Sequence, residues 1–291
     1  MSDTLSRAQK LFDLGGHLGH RKSRLHPKAR PYIYEIIDGT SVIDLEQTVA
    51  QIDKAVKTLS EVARNGKSVL VVATKKSVSQ NVQTLAKDAE GNFITTKWLP
   101  GLLTNFDTIA KNTKKLVELK RQKEAGEWAK YVKHEQVALE KQVRKLEKLY
   151  GGVVSMQRLP DVMFVIDTKR EKNAVVEAQK NKIPVVAIVD TNCDPNEVEY
   201  PIILNDDAPA AVIAVVEELI AAYKNNLKKE APKAVEPQVE KAPEQAETPK
   251  VEAPKAKAES EEEVVATAKK PAKKVTKVAK PAKKKAAAKS K

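Results

Sequence analysis

Residues 160–195, PDVMFVIDTKREKNAVVEAQKNKIPVVAIVDTNCDP, decide the fold. Two β-branched apolar runs, PDVMFVIDTKR (160–170) and KIPVVAIVDTN (182–192), flank a helix-like stretch at 171–181. Runs that are apolar throughout, with no polar alternation, predict strands buried on both faces, the signature of a parallel sheet. A third run of this kind, KSVLVVATKK (67–76), follows Gly66. Further helices are expected over 77–90 and from Asp206 to about Asn226. An earlier one, 44–64, spaces Leu45, Val49, Ile52, Val56, Leu59 and Val62 at steps of three and four, with Gly66 as a stop beyond its end. Strand and helix in alternation predict an α/β domain, a parallel sheet with helices on both faces.

Residues 105–150 break the rhythm, with no strand signal for over forty residues. Phe106, Ile109, Thr113 and Leu116 sit at heptad-like steps, as do Leu139, Val143, Leu146 and Tyr150, and Gly126 lies between the two sets. This pattern predicts an inserted helical hairpin with a coiled-coil seam. Twelve basic residues face seven carboxylates along it, which suits a solvated face or contact with RNA.

The chain carries a formal net charge of +13 and a pI near 9.5, a surplus that points to a polyanionic partner. From about Glu230 the composition becomes Ala, Lys, Glu and Pro, and disorder is expected. Residues 264–291 hold eleven lysines and no acid, a tail suited to phosphate backbones without sequence reading. Cys193 is the only cysteine, which excludes an internal disulfide and suggests a reducing compartment. No apolar run approaches the roughly 18 residues of a spanning helix. The first residues, MSDTLSRAQKLFDLGG, lack the apolar centre of a signal peptide. A soluble, cytoplasmic protein is expected.

Catalysis finds no constellation. VVATKKSVSQ ends like a phosphate-binding loop but has no glycine before its lysine, so no amide cradle forms. Ligands of α/β sheets bind beyond the carboxyl ends of the strands. Thr74, Asp167, Thr168, Asp190, Thr191, Asp206 and Asp207 fall there. The acids suit a divalent ion, held by Asp190 and Asp206 with His17 or His20 as a further ligand. They also suit turns and an N-cap, Asp206 or Asp207 capping the last helix. Lys75 and Lys76 open a helix, where the macrodipole disfavours cations by about 0.3–1 kcal/mol each; an anionic partner is one explanation.

GGHLGHRKSRLHPKARPYIY, residues 15–34, is the densest candidate site. It holds His17, His20 and His26 with Arg21, Lys22, Arg24, Lys28 and Arg30, on what reads as a glycine- and proline-shaped loop. The histidines alone are too few for a metal centre. Arginine forks match phosphate oxygens, and histidine stacks on bases or bonds phosphate. The loop reads as an RNA-docking element in preference to a metal site.

The same stretch resembles the N-terminal signature of the bacterial small-subunit ribosomal protein S2 family. So do DGTSVIDLEQTV, VLVVATKK, KWLPGLLTNF, LEKLYGG, the 160–195 block and ILNDDAPAAV, in the family's order. The resemblance implies a flavodoxin-like α/β domain over residues 1–229, a coiled-coil hairpin inserted at 104–151, and no enzymatic activity. It implies binding to small-subunit ribosomal RNA and neighbouring ribosomal proteins, among them the large RNA-binding protein S-one. No cofactor is required; some members are reported to hold a metal ion. RNA contact is expected from His17, His20, Arg21, Lys22, Arg24, Lys28, Arg30, Lys75, Lys76 and Lys97. Two other classes compete: a vestigial α/β nucleotide binder, and a histone-like nucleic-acid binder driven by the tail.

Overall fold

A computed structural model describes residues 2–227; the expected disordered, lysine-rich tail lies outside the described residues. The chain opens with helix α1 (Ser2–Asp13), then forms a small antiparallel sheet from β1 (Leu18–Arg21), β2 (Ile33–Ile37) and β3 (Thr40–Ile43), in the order β1-β3-β2. Next come α2 (Leu45–Arg64), β4 (Val69–Val72), α3 (Lys76–Asp88) and β5 (Asn92–Ile94). Helices α4 (Phe106–Glu124) and α5 (Lys133–Tyr150) follow. The chain then runs through β6 (Val162–Ile166), α6 (Lys172–Lys180), β7 (Val185–Val189), β8 (Tyr200–Ile203) and α7 (Pro209–Asn226).

The main sheet has the order β5-β4-β6-β7-β8, and every neighbouring pair is parallel. Numbered along the chain these strands run 2-1-3-4-5, the flavodoxin-like order. The apolar runs explain why. Every residue of β4, β6 and β7 is buried, and successive side chains alternate between the faces. Val69, Val71, Phe164, Val186 and Ile188 pack with α2, α3 and α7. Leu70, Val72, Met163, Val165 and Ala187 pack with α6 and the foot of the α4–α5 pair. Arg7 ties α1 to this body through Asp53 at 2.7 Å and Glu218 at 2.5 Å.

Both sheet edges are closed. At β8, Pro201 has no N–H to offer a further strand. Gln51 and Thr48 of α2 reach the same edge: Gln51 accepts from the Ile203 amide at 2.8 Å, and the Thr48 hydroxyl donates to the Ile203 carbonyl at 2.7 Å. At β5 the turn Gly151–Val153 lies so close that a Cβ on Gly152 would clash with the Phe93 carbonyl oxygen. Only glycine fits there.

The expected helices appear at 106–124 and 133–150, joined through Gly126 (φ +71°) and a single 3-10 turn, Glu127–Lys130, that buries Trp128. Ile109, Thr113 and Leu116 of the expected seam are buried on α4, and Val143 and Tyr150 on α5. Asp44 caps α2, accepting from the amides of Glu46 and Gln47 at 3.0 and 3.4 Å.

Two expectations are corrected. Residues 15–34 are not wholly a loop: they contain β1, two 3-10 turns (Lys22–Arg24 and Pro27–Tyr32) and the start of β2. Asp206 and Asp207 do not cap α7, whose N-cap is Ala208, with Pro209 opening the helix. Pro209 stands at the first helical position, where its fixed φ suits the helix and its missing amide costs nothing.

Candidate nucleic-acid interface

The basic segment is pinned to the carboxyl end of β7. Asp190, fully buried there, accepts through Oδ2 from His20 Nδ1 at 3.0 Å. With a carboxylate on Nδ1, the proton lies on that nitrogen, and Nε2 accepts from the Asn192 amide at 2.9 Å. The backbone amide of His20 donates to Thr191 Oγ1, and that of His26 to the Thr191 carbonyl, both at 2.8 Å. The Lys22 amide reaches the Gly39 carbonyl at 2.8 Å. Gly19 permits this approach, since a Cβ there would lie 2.6 Å from Thr191 Cγ2. His26 accepts from the Lys28 amide at 3.4 Å and so caps the turn that carries Lys28 and Arg30.

Arg21, Lys22, Arg24, Lys28 and Arg30 all stand exposed on this fixed backbone. Lys28 leans on Asp194 at 2.6 Å, and that hydrogen bond holds the Asp194 carboxyl below its ordinary range. A cleft of about 690 Å³ opens beside the segment, lined by His20, Arg21, Ser23, Arg24, Asn205 and Asp207 among others. The structure therefore gathers His20, Arg21 and Arg24 on one wall. Asn192, Asn205 and Asp207 were not singled out as partners of this segment. Their place depends on contacts more than 160 residues away in sequence, which local pattern cannot reveal.

Lys75 has a local explanation after all. Its ammonium lies 2.6 Å from Asp207 and 3.1 Å from Asp206, and it also donates to the Asp206 carbonyl. Burial pulls Lys75 down, but the hydrogen bond with Asp207 and the field of Asp206 outweigh it and hold its pKa above the ordinary value. The Asp207 carboxyl is depressed by the same hydrogen bond. Asp206 is raised, first by burial and then by Asp190 beside it. Lys76, exposed in the first turn of α3, has no such partner among the described residues.

This pairing also bears on the metal. Asp190 Oδ1 is taken by the Thr191 amide and hydroxyl, Oδ2 by His20 and the Asp206 amide, and Asp206 Oδ1 by Lys75. Among the described residues no group of three His, Cys, Asp or Glu side chains is arranged to hold a metal ion. In this arrangement the Lys75 ammonium supplies the positive charge beside Asp206, and His20 holds Asp190.

The crevice between β4 and β6, where strand order reverses, is stitched by side chains. Thr74 donates to Glu171, and Arg170 Nε donates to Thr74 Oγ1 at 3.0 Å. Burial raises both Glu171 and Asp167. Cys193 lies beneath, its thiol pushed by burial up to about 11, so it carries no reactive thiolate at neutral pH.

A sequence profile for ribosomal protein S2 matches residues 11–226, three-quarters of the chain and almost all of the described structure. The chain belongs to the ribosomal protein S2 family.

This family is one of small-subunit ribosomal proteins and is structural, not enzymatic. The remaining candidates spread over the S2 fold. Lys97 is exposed just past β5, at the opposite edge of the sheet from β7 and β8. Its neighbour Trp98 and the loop to Thr104 are fastened by the buried Glu177, which accepts from Trp98 Nε1 and the amides of Gly101, Leu103 and Thr104 at 2.8–3.4 Å. His17 stacks on Phe12, ring centroids 4.0 Å apart, with Nδ1 enclosed and unpartnered. It belongs to an apolar patch, with the cations of the segment apart from it. Around it Leu5, Phe12, Tyr34 and Ile37 are exposed on α1 and the small sheet. No helix among the described residues is long and apolar enough to cross a membrane.

Proposed function

We propose that the protein is a structural constituent of the small ribosomal subunit, working in the cytoplasm. It docks on small-subunit ribosomal RNA through residues 15–34 and on neighbouring ribosomal proteins through the apolar patch beside them. One observation carries the RNA reading: five exposed cations stand on a backbone fixed by Asp190, Thr191 and Gly39. A backbone ordered on folding does not lose that entropy again on binding, so the contacts of Arg21, Lys22, Arg24 and Arg30 are not offset by it, while Lys28 is shared with Asp194. Arg21, Arg24 and Arg30 supply forks for phosphate oxygens. His20 acts by holding the segment in place.

The patch of Leu5, Phe12, Tyr34 and Ile37 is the kind of exposed apolar surface that marks a protein contact. The family resemblance points to protein S-one as its occupant. The stitched crevice and the internally paired Lys75 favour this reading over a nucleotide binder.

The test is binding of the full-length protein to small-subunit ribosomal RNA. Arg24→Glu with Arg30→Glu should lower affinity at least tenfold at moderate salt while the thermal midpoint stays unchanged. Undiminished affinity in that variant would remove residues 15–34 as the docking element.

A further inference from the structure

We infer that the outer face of α5 is a second RNA-binding surface, a lysine rail that grips the backbone of an RNA double helix. The inference rests on the reading that the chain binds ribosomal RNA, and adds a site remote from residues 15–34. Along the hairpin the charges are sorted. Glu118, Glu127, Glu140 and Glu147 each lie within 3.5 Å of a cation of the hairpin itself: Arg121, Lys123, Arg144 or Lys120. Lys141, Lys145 and Lys148 take no part in these pairs, and all three are exposed. They follow one another at four and three residues, so they share one face of the helix. That face is opposite the seam of Leu139, Val143, Leu146 and Tyr150. Arg144 borders it, and no carboxylate lies among His134, Val137, Ala138, Lys141, Arg144, Lys145 and Lys148.

Lys141, Lys145 and Lys148, four and three residues apart, repel one another and destabilise the helix. An arrangement that costs the fold stability is explained by an anionic partner. The rail does not end with the helix. Lys148 joins Lys87 of α3 in a cleft of about 400 Å³, bordered by Gln83, Thr96, Gly151 and Glu147, whose carboxylate is paired with Lys120. This cleft lies along β5, three strands from β7 and thus about 14 Å across the sheet from the anchor of residues 15–34. The two basic surfaces face separate segments of nucleic acid.

The partner is double-helical RNA. The row from Lys141 to Lys148 runs straight along the helix for about 10 Å, which suits neighbouring phosphates of a rigid backbone. Single-stranded RNA is gripped by successive exposed aromatic rings on which bases stack, and this face offers only His134, at its N-terminal end.

The test uses the full-length protein and a 5′-labelled RNA duplex of about 20 base pairs, with affinity measured against salt. Lys141→Gln, Lys145→Gln and Lys148→Gln together should flatten the slope of log affinity against log salt by about 2 to 3, at roughly 0.9 per phosphate contact. The thermal midpoint should hold or rise, because like charges have been removed. Equal slopes for the two proteins overturn the rail. The charge-reversed pair Arg21→Glu and Lys22→Glu serves as the second arm, on small-subunit ribosomal RNA. If that pair loses affinity while the triple variant keeps its slope, the rail falls and the docking segment stands. If the unaltered protein binds neither RNA, both fall. If the triple variant leaves RNA binding intact yet is lost from assembled subunits, the face meets an acidic protein and the RNA assignment is overturned.

Discussion

His20 Nδ1 lies 3.0 Å from Oδ2 of Asp190, and through that bond a basic surface segment is locked to the buried end of a central strand. His20→Ala leaves all five cations in place but cuts the lock. One hydrogen bond to a buried carboxylate contributes about 1.5–3 kcal/mol, so thermal unfolding should fall by several degrees. RNA affinity should fall as well. Unchanged affinity beside a lowered midpoint would mean that the anchor serves the fold alone.

Lys75 and its two aspartates give a pH signature. The depressed Asp207 contributes stability that is present above the ordinary carboxylate range and is lost as pH falls through its folded value. The raised Asp206 has the opposite sign: its protonated form favours the folded state below the unfolded pKa, and that preference fades as pH rises. Lys75→Met leaves both carboxylates without their cation, so both pKa values rise in the folded protein. The variant should lose about 2–3 kcal/mol near neutral pH, and the deficit should shrink toward about pH 4 as the carboxylates take up protons. Urea titrations at the two pH values check this; a deficit that grows on acidification would refute the pairing.

Glu177 receives four donors from one loop. Glu177→Ala strands them in the interior and should cost about 3 kcal/mol, a drop of roughly 6–12 °C for a domain of this size. Trp98, now buried, should shift its fluorescence to the red before the sheet unfolds. A single cooperative transition at the unaltered midpoint would show that the loop is held by something else.

The fold was legible where burial leaves no choice of residue. β4, β6 and β7 are apolar at every position, and the helices between them keep their three-and-four spacing. The edges were not legible. β5 is three residues long, and β8 carries Pro201. β1 reads LGHR, with glycine and charge where alternation would be sought. One signal for the small sheet was present: Asp38–Gly39 between two apolar runs, with both residues at positive φ (49° and 74°), is a hairpin turn. At the site, composition located the cations of residues 15–34. It could not show that Lys75 spends its charge on Asp206 and Asp207, 131 and 132 residues away. Nor could it show that His17 turns to Phe12.

The central claim is that residues 15–34 dock this chain on the small ribosomal subunit. Its most direct measurement is sucrose-gradient sedimentation of the full-length protein expressed in cells, compared with Arg21→Glu/Lys22→Glu at the same level. The account predicts that the unaltered protein travels with small subunits at moderate salt, and that the double variant remains in the free pool with an unchanged thermal midpoint. Co-sedimentation of the variant to the same extent, or an unaltered protein found only in the free pool, would contradict it.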